Sequence, residues 1–400
     1  MPLLSHLGVS IEMVSKGPTK RQVPSVTKSR RKVLFSATVD VHILSFHIPY
    51  LKMLQGMNYE THVATNGQAE IPHCDVRHTV PFARSPIKLS NLRAIKQLRQ
   101  IIEAEKFDLI HTHTPMGAVV TRLAAMRARK MYGTKVIYTA HGFHFYKGAP
   151  WHYWMIFYPV EKLLARVTDM LITINQEDYQ LAKKRFRTDV QYVPGVGIDP
   201  AKFDKRMTKA DKTKIRKSLG LKDTDFVMLY PAELNKNKNQ TMLIIVMEKL
   251  VGKYPNIHLL LPGKDSLEGY HRDLVDHKGL SKNIHLLGYR ADIPLLFKAA
   301  NLSVSASYRE GLPVHIIEAM MAGLPVVSTQ CRGAKELIAD GENGYLVHIN
   351  DTDSMAGKIV AIMDGSDVTD KLGAKSFDMA QRYTIDGVAK EMRHLYGAFV

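Results

Sequence analysis

At 400 residues the chain is long enough for two apolar cores, and 45% hydrophobic with 23% charged residues excludes a disordered tail. A formal charge of +17 points to an anionic partner, either nucleotide phosphates or an acidic membrane surface. The basic clusters at Lys16 to Lys32, Lys183 to Arg187 and Lys202 to Lys217 lack interleaved aromatics and no zinc-finger spacing occurs, which argues against nucleic acid.

In chain order, residues 1 to 30 read as a flexible basic extension. The opening MPLLSHLGVSIEMVSK has neither a basic leader nor a small-residue cleavage site, and the chain has no uncharged apolar run of about 20 residues. Cys74 and Cys331 stand far apart, imply no disulfide and fit a reducing compartment. The expected location is therefore the cytoplasm, with peripheral attachment to the inner face of the membrane. Strands are predicted at Lys32 to Ala37, His62 to Thr65, Leu109 to His113, Val136 to Ala140 and Met170 to Ile174, with helices at Ile48 to Gln55, Asn91 to Glu105 and Met116 to Met131. This alternation predicts an α/β fold with a parallel sheet covered on both faces. VPGVGIDPAKF, Val193 to Phe203, interrupts it with Gly and Pro and marks a domain boundary near residue 195. The train restarts with strands at Val227 to Pro231, His258 to Leu261 and Ile284 to Leu287, so two sheets face one another and a ligand belongs in the cleft between their strand ends.

The stretch Asn301 to Ser328, NLSVSASYREGLPVHIIEAMMAGLPVVS, packs strand, turn, helix and strand together without spare residues. Apolar Val314, Ile317, Met320 and Met321 share one helix face, Pro313 suits the helix start, and Gly323 with Pro325 suits its end. Amides at that helix entrance form a seat for a phosphate. Glu310 lies just before the entrance and Glu318 lies inside the helix. A phosphate between two hydroxyl-seeking carboxylates describes a sugar nucleotide; a capping acid and a solvated acid are the simpler alternative. In the first half, YTAHGFHFYKGAPWHYWMIFYP (Tyr138 to Pro159) stands out. His141 ends a strand and, with a pKa near 6.5, suits proton handling, while His144 and Lys147 are within reach of an acceptor phosphate. His111 and His113 put two rings on one face of a strand, as a metal pair or, preferably, as structure or substrate contact, since no third ligand is visible. Trp151 and Trp154 lie in an aromatic run that fits either a lipid-linked acceptor at an apolar–wet boundary or a buried core helix.

Arg309 to Val347, REGLPVHIIEAMMAGLPVVSTQCRGAKELIADGENGYLV, resembles the signature of glycosyltransferase family 4. The resemblance implies a GT-B fold: an acceptor-binding Rossmann-like domain over 31–195, a nucleotide-sugar-binding domain over 196–382, and a closing helix over 383–400, Ile385 to Tyr396 within it, that crosses back to the first. It implies that Glu310 contacts the transferred sugar, Glu318 the ribose hydroxyls, and the Gly311 and Leu312 backbone the donor. His141 matches a histidine placed near that sugar. In PAELNKNKNQ, Lys238 matches a family lysine, but Glu233 stands where the family has arginine, so either Lys236, beside Asn235, or a first-domain residue is the candidate replacement for that diphosphate cation. The AEL turn is similar to relatives in exopolysaccharide and capsule pathways. GKD at Gly263 and GYRADIP, with Gly288, Tyr289 and Arg290, are similar to the loops lining the nucleotide pocket. SATVDVHI, Ser36 to Ile43, lacks the glycines of many relatives, leaving Asp40 and His42 for acceptor contact.

The expected protein is a retaining glycosyltransferase without metal or cofactor, moving a sugar from a uridine diphosphate donor to a lipid-linked saccharide. Two rivals are a nucleotide-sugar-binding subunit without turnover, favoured by Glu233, and a hydrolase using Glu310 and Glu318.

Overall fold

The computed structural model describes residues 30–203 and 209–399; the expected extension over 1–30 lies, apart from Arg30, outside them. The first half runs β1 (Arg31–Ser36), α1 (Asp40–Phe46), α2 (Ile48–Gly56), β2 (Tyr59–Thr65), β3 (Val76–Thr79), α3 (Ser90–Glu105), β4 (Leu109–His113), α4 (Pro115–Tyr132), β5 (Lys135–Ala140), α5 (Trp151–Leu164), β6 (Met170–Thr173), α6 (Gln176–Arg185) and β7 (Asp189–Tyr192). The second half runs α7 (Lys209–Ser218), β8 (Phe226–Leu229), α8 (Gln240–Val251), β9 (Ile257–Pro262), α9 (Tyr270–His277), β10 (Ile284–Gly288), α10 (Ile293–Ala299), β11 (Leu302–Ser305), α11 (Val314–Met321), β12 (Val326–Thr329), α12 (Arg332–Leu337), β13 (Gly344–Val347), α13 (Thr352–Asp364), α14 (Ser366–Ala380) and α15 (Ile385–Gly397).

Two parallel sheets result, one of seven strands in the order β3-β2-β1-β4-β5-β6-β7 and one of six in the order β10-β9-β8-β11-β12-β13. Central strands carry apolar residues on both faces because helices cover both: Val33, Leu34 and Phe35 of β1 are fully buried, as are Val227 and Leu229 of β8. Each sheet reverses its strand order at one point, between β1 and β4 (register Ser36 to Thr112) and between β8 and β11 (Leu302 to Met228). Crevices at the carboxyl ends of such strands bind ligands, so the loops after β1, β4, β8 and β11 define where a site must be.

The turn into and out of α11 follows the sequence. Pro313 is the N-cap, and after the helix Gly323 takes φ +73°, with the Leu324 N–H donating to the Ala319 carbonyl at 3.0 Å. Buried Arg216 ties α7 to the second sheet through the carbonyls of Ala299, Lys222, Asp223 and Asp225. Chain-terminal α15 packs on α2, with Val388, Met392 and Tyr396 in one cluster with Phe35 and Leu51. The Tyr396 hydroxyl lies 2.7 Å from His111 Nδ1. The segment read as a loop after β1 coils into α1, while the aromatic run forms the helix α5, helix being one of the two readings given for it, with Pro159 inside.

Candidate active site

At the switch point of the second sheet, Ser307 to Gly311 leave β11 and meet the turn after β8. Glu310 Oε1 accepts from Lys238 Nζ at 2.6 Å and from Ser307 Oγ at 2.6 Å. The fully buried Tyr230 hydroxyl lies 2.7 Å from Ser307 Oγ and donates to the Lys238 carbonyl. Asn237 closes the two loops together, its amide donating to the Arg309 carbonyl at 3.0 Å and its own carbonyl accepting from the Tyr308 N–H at 2.9 Å. Glu310 is thereby held in one orientation before any ligand arrives. The N–H groups of Gly311 and Leu312 donate to no group among the described residues, which leaves them for an anion.

The first sheet approaches this turn directly. A Cβ on Gly311 would lie 2.1 Å from the His141 carbonyl oxygen, so only glycine allows the loop after β5 to come so close. Arg332 fastens the contact: its Nε donates to the Glu310 carbonyl (3.2 Å), Nη2 to the Phe143 carbonyl (3.1 Å), and Nη1 pairs with Asp178 at 2.6 Å. Sequence reading assigned no role to Arg332, Asp178, Ser307 or Tyr230. Arg332 lies inside the quoted signature, but its partners come from the other half of the chain.

His141 sits in this contact among other histidines: its Nε2 is 3.2 Å from His42 Nε2 and 3.5 Å from His113 Nδ1. Burial pushes His42 down to about 4 and holds His141 and His113 well below the ordinary histidine range. The expected pKa near 6.5 for His141 is therefore corrected: burial disfavours its cation, and the ring is neutral at pH 7. It offers a hydrogen bond, not a titrating proton.

Glu318 is partly buried on α11. Among the described residues its carboxyl makes no hydrogen bond or ion pair, and burial raises that carboxyl to about 7 against a lowering influence from Lys202. Ionising it in place costs stability. That cost is absent below its ordinary 4.5, where both folded and unfolded chains are protonated, grows as pH rises from 4.5 to 7, and is constant above. Glu318→Gln is accordingly expected to stabilise the unliganded protein by roughly 1–3 kcal/mol at pH 8 and to leave it unchanged at pH 4, read by denaturation at both values. Equal effects at the two pH values would contradict this account.

Other expected donor residues divide. Asn235 shapes its own turn, its side chain accepting from the Lys238 N–H at 3.0 Å, and Lys236 is exposed. Glu233, the departure from the family, accepts from Ser266 Oγ. Gly263 is required by the Ala232 carbonyl, 1.8 Å from where a Cβ would lie, so the close approach there is between two protein loops. Gly288 takes φ +63°, Tyr289 is 82% exposed, and Arg290 is paired with Asp292.

On the first half, a cleft of about 770 Å³ opens beside His141 between α1, α4 and α5, and both His42 and His144 line it. His144 stacks on Phe157, and burial together with Arg309 and Arg332 lowers it to about 4. Glu161, paired with buried Arg122 at 2.8 Å, and Tyr138 stand on the same wall. The remaining expected acceptor residues lie elsewhere. Asp40 is corrected: its carboxylate is taken up by Arg77, the Thr65 hydroxyl and the Ala69 N–H, which leaves it a structural role. Lys147 is exposed off the cleft, Trp154 donates to the Tyr146 carbonyl at 3.2 Å, and Trp151 is 71% exposed. Thus α5 is neither a wholly buried core helix nor the lining of the cleft at its tryptophans.

Two doubly wound parallel sheets, the loop after β5 of the first lying against the turn after β11 of the second, with that turn carrying a fixed acid and lysine beside free helix-entrance amides, define a GT-B glycosyltransferase. The family models agree: Glycosyltransferase Family 4 matches residues 50–202 and Glycosyl transferases group 1 matches residues 211–379. The chain belongs to glycosyltransferase family 4. It is 40% identical over 372 residues to EpsD of Bacillus subtilis (strain 168), described as a glycosyltransferase, covering 92% of this chain and 97% of that protein. An Escherichia coli UDP-Gal:alpha-D-GlcNAc-diphosphoundecaprenol alpha-1,3-galactosyltransferase is 29% identical, over 69% of this chain and 71% of that one. Among solved structures, Anabaena Alr3699/HepE in complex with UDP and glucose superposes with a TM-score of 0.77 at 21% identity, covering 92% of this chain and all of that one (100%). WaaG, a glycosyltransferase involved in lipopolysaccharide biosynthesis, superposes at 0.71 with 17% identity, covering 90% and 98%.

Proposed function

We propose that the protein is a retaining glycosyltransferase that moves a sugar from a uridine diphosphate donor to a lipid-linked saccharide during assembly of a bacterial exopolysaccharide or capsule, at the inner face of the cytoplasmic membrane. The observation that carries this reading is the Glu310 carboxylate, fixed by Lys238 and Ser307 beside the free Gly311 and Leu312 amides and facing the His141 loop. The diphosphate belongs at those amides and Lys238, the sugar between Glu310 and His141, and the ribose toward Glu318. As the glycosidic bond breaks, charge builds on the leaving diphosphate, and preorganised donors there stabilise the transition state more than the ground state. That charge is met by protein groups, so no metal ion is required at the diphosphate. The likeness to a transferase acting on a diphosphoundecaprenol-linked sugar supports a lipid-linked acceptor, and the neighbour holding UDP and glucose supports the donor class.

Membrane attachment is supported by exposed apolar and basic side chains of the first half. Val41, Ile87, Leu89, Trp151 and Ile156 are all more than half exposed, and Arg84, Lys88, Arg93 and Lys96 are exposed around the same segment. Among the described residues no helix is long and apolar enough to cross a membrane. Trp151→Ser combined with Ile87→Ser is expected to weaken sedimentation with anionic vesicles at least tenfold, from about 1.5 kcal/mol or more per apolar side chain withdrawn from the bilayer. Unchanged sedimentation by a folded variant would remove the membrane contact.

The direct test is a screen of the purified protein against uridine and guanosine diphosphate sugars, with and without bacterial membrane lipids, following released nucleotide and labelled lipid product. Lipid-dependent transfer from a uridine diphosphate sugar is expected. Tight nucleotide binding without turnover from any extract would instead favour the binding-subunit reading, for which Glu233 in place of arginine is the motivating observation.

A further inference from the structure

Four histidines from four different segments converge behind the His141 loop: His42 on α1, His47 between α1 and α2, His113 at the end of β4, and His141 directly after β5. One ring nitrogen from each can be chosen so that all four lie within 4.8 Å of one another. Two of the separations, 3.2 Å for His42 to His141 and 3.5 Å for His141 to His113, bracket the edge of about 3.3–3.4 Å that a tetrahedron of nitrogens has around zinc at 2.0–2.1 Å. Among the described residues His47 Nδ1 and His47 Nε2 have no hydrogen-bond partner, although His47 is almost wholly buried. A small cavity of about 20 Å³, the size of a single water or ion, is lined by His47, His113 and His141.

An N–H···N bond between neutral imidazoles accounts for one of the His42–His141 and His141–His113 separations but not for both, since both end on His141 Nε2, which carries one proton or one lone pair. It does not account for His47, whose two buried nitrogens would each carry an uncompensated desolvation penalty if left without a partner. Nearby His111 is different: its nitrogens meet the Tyr396 hydroxyl at 2.7 Å and Thr139 Oγ1 at 2.8 Å, so it supports the cluster without joining it. Neutral imidazole is the ligand form suited to borderline divalent ions.

We propose that His42, His47, His113 and His141 form a binding site for a divalent transition metal ion of the zinc class, tying α1 and the α1–α2 junction to the ends of β4 and β5. The site is built from first-half residues behind the His141 loop, whose backbone touches Gly311, and its existence does not depend on the proposed transfer reaction.

The test uses untagged full-length protein freed of metal with a chelator and titrated with Co²⁺ and Zn²⁺ by calorimetry, with Co²⁺ visible absorption reporting the ligand field. One equivalent is expected to bind, with the intense bands of tetrahedral nitrogen coordination, and Zn²⁺ should displace Co²⁺ and raise the melting temperature. His42→Gln and His113→Gln are each expected to weaken binding by more than the roughly 10–100-fold that loss of an outer-shell partner costs. His42 is the less buried of the two, so its variant keeps the test valid should His113→Gln fail to fold. His62→Gln serves as control, because Glu60, His62 and Glu105 form a separate cluster. Absence of stoichiometric binding by the folded protein, binding unchanged in folded His42→Gln, or binding lost in His62→Gln instead would each overturn the proposal.

Discussion

Glu310→Gln should lower the turnover number by about 10²–10³, the range that loss of one preorganised polar contact to a transition state covers, while leaving affinity for uridine diphosphate undiminished. The asymmetry follows from the geometry. Glu310 Oε1 holds Lys238 Nζ at 2.6 Å, so removing the carboxylate charge releases the lysine toward the diphosphate while depriving the sugar of its oriented acceptor. Ser307, 2.6 Å from the same oxygen, can still donate to the amide oxygen of an isosteric glutamine side chain, which keeps the turn in place. Calorimetric titration with uridine diphosphate, set beside initial rates under saturating donor, separates the two effects. Parallel loss of affinity and rate would assign Glu310 a role in building the turn and remove it from the reaction.

The second large effect belongs to Arg332. Its side chain is 7% exposed and its partner Asp178 1%, a buried pair whose acid burial raises and Arg332 lowers. Arg332→Met leaves Asp178 buried without its cation, which should destabilise the protein by roughly 3–5 kcal/mol. It also releases the Glu310 and Phe143 carbonyls from a common donor, so the two halves lose their bridge at the Glu310 turn. Arg332→Met combined with Asp178→Asn should recover much of the stability but not the rate, because neutralising the acid relieves the charge while the bridge to Glu310 stays broken. Arg332→Lys should behave like Met for the rate, since an ammonium cannot span three acceptors with fixed guanidinium geometry. Thermal denaturation and steady-state rates on the three variants decide the matter; full recovery of rate in the double variant would show that the bridge contributes stability alone.

Much of the fold was legible in the chain. The central strands of both sheets were visible, because a strand buried on both faces must be rich in apolar residues, as β1, β8 and β9 are. The edge strands β3, VRHT, and β7, DVQY, were missed because each is paired along one side and retains a polar face. The turn carrying Glu310 and the helix behind it were readable from Pro313, Gly323 and the apolar spacing of α11, since caps and periodicity are local properties. A pair of histidines on β4 was visible too, without the partners that stand beside it.

By itself, then, the sequence determined two doubly wound sheets, the helix entrance beside Glu310, the lysine at position 238 and membership of a transferase family. Only the tertiary structure decided that Asp40 belongs to Arg77, that Arg332 clasps the cleft, that Gly311 is demanded by the His141 carbonyl, and that His42 and His47 close on His113 and His141. The physical reason is one of range. Propensity, capping and burial pattern act over a few neighbouring residues, whereas hydrogen-bond partners, burial-shifted pKa values and ligand geometry depend on which distant segments the two sheets bring together.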